Sequence, residues 1–157
     1  MPDATFLLPE DAHPKIRLLH AYWRECAPAA GLLPGRRQID PLRIPKLLEN
    51  VWLMDVVDRP PRFRMRLVGG AMRRMGILAA PGDFVETFIA ADAPPLLQLR
   101  HLVAERQPIW FRGQAYLPHE TRVFSLERLF LPLADDGVMV DVVLGLTVFF
   151  DWRGREL

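Results

Sequence analysis

Residues 127–150 constrain this chain more than any other stretch. Glu127-Arg128-Leu129-Phe130-Leu131-Pro132-Leu133 runs into Ala134-Asp135-Asp136-Gly137, and a second apolar run, Val138 to Phe150, follows at once. Two strand-forming runs joined by a tight Asp-Asp-Gly turn define a β-hairpin. The second run is broken only by Asp141 and is too apolar to have a wet face. Such a strand belongs at the centre of a sheet that is covered on both sides.

The rest of the chain supplies partners and cover. Ile16, Leu18, Leu19, Tyr22, Trp23 and Cys26 fall at spacings of three and four, which predicts a helix with a wide apolar stripe, opened by Pro14. That stripe must cover a sheet or meet a copy of itself. Asp40 can cap a short turn that begins at Pro41. Val51–Val57 and Arg62–Val68 read as two strands. The second alternates Phe63, Met65 and Leu67 with Arg62, Arg64 and Arg66, giving one dry and one wet face. Trp52, Met54 and Val56 should join the dry side and Asp55 the wet one. A short helix is expected at Ala71–Ile77, then a loop with Phe84 and Phe88 pointing inward, then a helix from Asp92 to Arg106. Strands at Pro108–Leu117 and Arg122–Leu133 precede the final run. Two strands, inserted helices and three more strands close simply when the last strand returns beside the first. The expected fold is α+β, a five-stranded antiparallel sheet of order 2-1-5-4-3, with the N-terminal helix on the outer face and the others on the inner face.

Composition narrows the class. At 157 residues the chain fits one domain, read here as residues 14–150 between an N-terminal arm (1–13) and a C-terminal tail (151–157). A net charge of +1 gives no general drive toward nucleic acid or anionic membrane. No apolar run approaches the roughly 20 residues that span a bilayer, and the N-terminus lacks a secretory pattern. A single cysteine, Cys26, suits a reducing compartment. The expectation is a cytoplasmic protein.

Several patterns, taken in order, resemble one branch of the PAS superfamily, the small PAS-like proteins typical of alphaproteobacteria. They are Leu19-x-x-Tyr22-Trp23, Ile39-Asp40-Pro41, Leu53-x-Asp55-Val56, Phe63-Arg64-x-Arg66-Leu67-Val68-Gly69 and Glu127-Arg128-Leu129-x-Leu131-Pro132-Leu133. The likeness spans about residues 14 to 150. It implies a non-catalytic, stand-alone sensory or interaction module that acts on a separate signalling partner. The family usually has Thr after Arg-Leu-Val-Gly and then a Gly-x-Asp-x-Thr-Gly segment at its pocket mouth. Here Gly70 replaces the Thr, and Gly76–Gly82 lacks both the Asp and the Thr, so any ligand contact made there is altered.

The resemblance further implies a cavity in the curl of the sheet for a small apolar ligand, lined by Met54, Met65, Leu67, Met72, Met75, Phe84, Phe88 and Phe111. The same residues would equally build a filled core. Self-association as a homodimer is placed on Leu19, Tyr22 and Trp23. No cofactor follows from the residues. His101 lies on the helix from which haem-binding relatives present a ligand, but off its main apolar stripe. Cys26 lies on the wrong helix for a flavin adduct, and His13, His20 and His119 show no metal spacing. Arg62, Arg64, Arg66, Arg73 and Arg74 could bind an anion or RNA, or simply protect an edge strand, and the second reading is favoured because no aromatic residue shares that face. Glu127 and Arg128 face opposite sides of the sheet, with Asp141 a candidate partner for Arg128. A small cone-pocket isomerase or hydrolase is the alternative function, needing Asp141 or His101 beside a cavity with a raised pKa.

Overall fold

The computed structural model describes residues 6–77, 79–115, 117 and 120–157. One antiparallel sheet holds β1 (Val51–Val57), β2 (Arg62–Val68), β3 (Ile109–Gln114), β4 (Ser125–Leu133) and β5 (Val142–Phe150). Its order is β2-β1-β5-β4-β3, as the hairpin logic expects. β5 is the central strand because it has apolar groups for both layers. Val142, Leu144, Leu146 and Val148 enter an outer cluster, while Val143 and Phe149 enter an inner one.

The outer layer is α1 (Pro14–Glu25) with a 3-10 stretch at Pro45–Asn50. Pro14 occupies the first helical turn, and His13 Nδ1 accepts the Lys15 N–H at 3.1 Å. Ile16 and Leu19 are fully buried among Leu129, Leu131 and Leu144 of the sheet. The inner layer is α2 (Gly70–Arg74) and α3 (Pro94–Glu105), separated by a 3-10 turn at Val85–Thr87. Leu96, Leu99, Leu102 and Val103 give α3 its buried stripe. Asp92 is not its cap, since the helix opens after Ala93 with no side-chain cap. Asp40 does cap its turn, accepting the Leu42 N–H at 2.9 Å.

Two local departures from simple alternation matter. β5 starts at Val142 instead of Val138. Asp136 Oδ1 accepts the N–H groups of Val138 and Met139, both at 2.8 Å, and Gly137 takes φ +80°. Those bonds hold the Asp136 carboxyl below its usual range and keep Val138 and Met139 in an exposed turn. The second departure is a β-bulge. Leu53 pairs with Leu67 but Met54 with Met65, leaving Arg66 as the extra residue on β2. Beyond it every side chain changes face, so Leu67 points away from the inner core and is 42 % exposed.

Both flanking segments pack onto the domain; residues 1–5 of the expected arm lie outside the described residues. Ala12 is buried in the outer cluster. Leu157 N–H donates to the Phe149 carbonyl at 2.9 Å, and Glu156 receives His13 Nε2 at 3.1 Å and the Lys15 ammonium. Among the described residues no helix is long and apolar enough to cross a membrane.

Candidate functional site: the inner face of the sheet

Residues at matching register form two adjacent rows across the inner face, one through Gly145 and one through Arg128. Trp52 on β1 pairs with Gly145 on β5, Gly145 with Phe130 on β4, and Arg128 on β4 with Phe111 on β3. The Trp52 indole lies on Gly145, where an added Cβ would come within 1.9 Å of ring carbon. A glycine in a dry strand marks such a close approach of another group. Trp52 also meets Phe130 edge-on at 5.0 Å and donates its Nε1–H to Thr147 Oγ1 at 3.1 Å. The middle of the concave face is therefore a filled core.

The expected ligand-lining residues divide between this core and its margins. Met54, Met65, Met72 and Met75 are buried together in the inner cluster. Phe111 lies on the inner side, its ring 5.1 Å from the Arg128 guanidinium. Leu67 has left this face through the bulge. Phe84 packs under the Arg62 guanidinium at 4.0 Å at the edge of β2, and Phe88 is 51 % exposed because the 3-10 turn before it turns Val85 inward instead. Trp52 was legible from alternation. Gly145, Phe130 and Phe149 carried only weaker signals within uniformly apolar runs.

Arg128, two residues along β4 from Phe130, is unusual. It is largely buried, and desolvation pulls its guanidinium down to about 10, still far enough above neutrality to remain a cation. Asp141 is not its partner, because Asp141 sits in the β4–β5 turn, where Oδ2 accepts the Asp135 N–H at 3.1 Å. Arg128 instead donates from Nη2 to Gln98 Oε1 on α3 at 2.8 Å and lies 4.7 Å from the Phe130 ring centre. Its Nε is buried and has no hydrogen-bond partner. Glu127, on the opposite face, is 2 % exposed and well matched. Its Oε1 accepts the His13 N–H and Trp110 Nε1–H, both at 2.8 Å, and Oε2 accepts from Arg112 Nη2 at 3.3 Å.

The residues proposed for acid–base chemistry are not brought together. His101 is exposed on α3. Asp141 lines a groove of about 350 Å³ at the hairpin end with Asp58, Asp135 and Asp136. Burial, aided by the neighbouring carboxylates Asp135 and Asp136, pushes its carboxyl up. A raised folded pKa means that the folded state holds the extra proton, so stability falls as pH rises through that window. Asp141→Asn keeps an acceptor for Asp135 and removes the charge. It should gain about 0.5 kcal/mol at neutral pH, since water screens the effect. Urea denaturation should show the gain disappearing at about pH 3, where the native carboxyl is protonated.

Apart from Arg73, the arginine strip is matched by acids. Arg64 and Arg66 reach Asp55 at 3.5 and 3.4 Å, Arg62 reaches Asp58 at 3.8 Å, and Arg74 reaches Glu49 at 3.1 Å. β2 is an edge strand. Among the described residues no cluster of three or more His, Cys, Asp or Glu could hold a metal ion; His119 lies outside them.

The residues expected at a dimer contact are engaged within the single chain. Leu19 is 0 % exposed within the single chain, Trp23 Nε1 donates to the Pro132 carbonyl at 2.9 Å, and the Tyr22 hydroxyl accepts the Asp40 N–H at 2.9 Å. The Ile16 and Leu19 side of the stripe is taken up by the sheet, while Leu18 is left exposed. Beside it, Leu18, Ala21, Tyr22, Ile44 and Leu47 line an outer groove of about 400 Å³, near which Leu18, Leu42 and Leu48 remain exposed.

A five-stranded antiparallel sheet of this order, with helices on its inner face, is the architecture of a PAS domain. A family model described as PAS domain matches residues 11–148. The chain belongs to the PAS domain family. No curated protein matches it. Among solved structures, a fungal LOV domain photoreceptor is similar at 16 % identity and TM-score 0.46, covering 73 % of this chain and 94 % of that one.

Proposed function

We propose that this PAS domain is a non-catalytic sensory and interaction module of the cytoplasm that senses a small molecule. Its output passes by protein contact, to a second copy of itself and to a separate signalling partner. The observation that carries this reading is the outer groove, where the exposed Leu18 lines a wall with Ala21, Tyr22, Ile44 and Leu47 beside Glu25, Arg43 and Lys46, and where Leu42 and Leu48, neighbours of lining residues in the chain, are also exposed. Apolar surface gathered beside a groove is the usual mark of a protein-binding site. The packing of Trp52 on Gly145 favours a small ligand over a flavin or a haem, because a planar cofactor there would have to displace the indole. The isomerase or hydrolase alternative keeps Asp141 alone, with a raised pKa in a groove it shares with Asp58, Asp135 and Asp136 at the hairpin end and not on the inner face, while His101 is exposed.

Light scattering on a sizing column tests the contact. The native chain should run as a dimer at high concentration, and Leu18→Glu with Leu42→Glu should run as a monomer with an unchanged thermal midpoint. A native chain that stays monomeric at every concentration overturns the self-association.

A further inference from the structure

We propose that Arg128 anchors a binding site for a small monocarboxylate, between α3 and the β3–β4 end of the inner face. This deepens the sensory reading by naming a ligand class, and it rests on that reading for its biological meaning.

The argument begins from charge. A largely buried guanidinium normally finds a carboxylate, because an uncompensated buried charge is costly. Arg128 forms no ion pair among the described residues; the others without one are mostly exposed, such as Arg24, Arg43 and Arg73, while Arg36 and Arg106 bond backbone carbonyls. Its one hydrogen bond goes to a neutral amide, Gln98. The buried Nε–H points at no acceptor. A guanidinium presents a planar fork of donors that fits the two oxygens of a carboxylate, and this fork is mostly unoccupied.

The surroundings select the class of anion. The rings of Phe111 and Phe130 lie 5.1 and 4.7 Å from the guanidinium carbon, so an incoming group meets aromatic walls beside a single positive charge. The other arginines on α3 and β3 and at the end of α3 are engaged, Arg100 with the Ala91 carbonyl. Arg112 is engaged with Asp11 and Glu127 on the other face, and Arg106 donates to the Val138 and Gly137 carbonyls. A phosphate dianion normally gathers more positive charge than this, whereas a carboxylate on an apolar body needs one fork and apolar walls. Gln98 is the exchangeable element. Its half-buried side chain holds the Nη2 edge and can turn outward when an anion takes its place.

The test is titration calorimetry of the purified full chain with sodium benzoate and sodium octanoate, with sodium chloride as control. Saturable binding of at least one carboxylate, without an equal response to chloride, is expected. Arg128→Met, which keeps the apolar stem and removes the charge, should weaken that binding at least tenfold while melting no lower than the native chain. Arg128→Lys, which keeps the charge but not the fork, should fall between them. No saturable binding by the native chain overturns the site, as does equal binding by Arg128→Met. A melting midpoint for Arg128→Met far below the native one also overturns it, since Arg128 would then be a structural plug. Because the titration requires no partner, loss of the self-association reading leaves this result intact, and the reverse holds too.

Discussion

Gly145→Ala should destabilise the protein by about 3 kcal/mol, at the upper end of what overpacking a core produces. The added methyl would lie 1.9–2.3 Å from three atoms of the Trp52 indole, and neither side can give way easily. Gly145 is on the central strand, between β1 and β4, and the indole is pinned by Thr147 and Phe130. Trp52→Leu alone should cost about 3 kcal/mol through the cavity it leaves. Combining the two should cost less than their sum, with a coupling of about 1–3 kcal/mol, because the smaller side chain makes room for the methyl. Urea denaturation of the four proteins measures this. Simple additivity would mean that the indole does not rest on Gly145.

The second large effect concerns the outer face. Glu127→Ala should cost about 3 kcal/mol, because it leaves the His13 N–H and the Trp110 Nε1–H without their acceptor. Arg112 is less affected, since it keeps Asp11 at 2.8 Å. Glu127→Gln retains one acceptor oxygen and should lose about half as much. The loss has a location as well as a size. His13 caps α1, so hydrogen exchange should quicken first at the start of that helix. A variant as stable as the native protein would show that the carboxylate contributes nothing net.

The bounds of β1 and β2 could be read directly, since alternating residues between clear turn signals leave little freedom. The dryness of Val142–Phe150 similarly required the central position it takes. What could not be read were the places where side chains overrule the backbone pattern. Asp136 draws two N–H groups into the turn and shortens β5 by four residues. The bulge at Arg66 turns Leu67 to the other face; a bulge leaves no mark in a period-two pattern until the register is seen. The stripe on α1 demands a partner, but sequence alone leaves a sheet and a second copy as equal choices, and the sheet takes Leu19. Alternation puts Glu127 and Arg128 on opposite faces of the sheet and offers Asp141 as a partner for Arg128. Its lack of a carboxylate is a fact about which strands and helices meet, and no spacing in the chain records it.

The central claim is that the concave face of this PAS domain is closed at its middle by Trp52 on Gly145 and open to a small anion at Arg128. Native mass spectrometry of freshly purified protein, together with its absorption spectrum, tests this most directly. The account predicts the mass of the bare chain or of the chain with a small organic acid, and no absorption beyond the aromatic side-chain band. A bound flavin or haem, visible in both measurements, would contradict it.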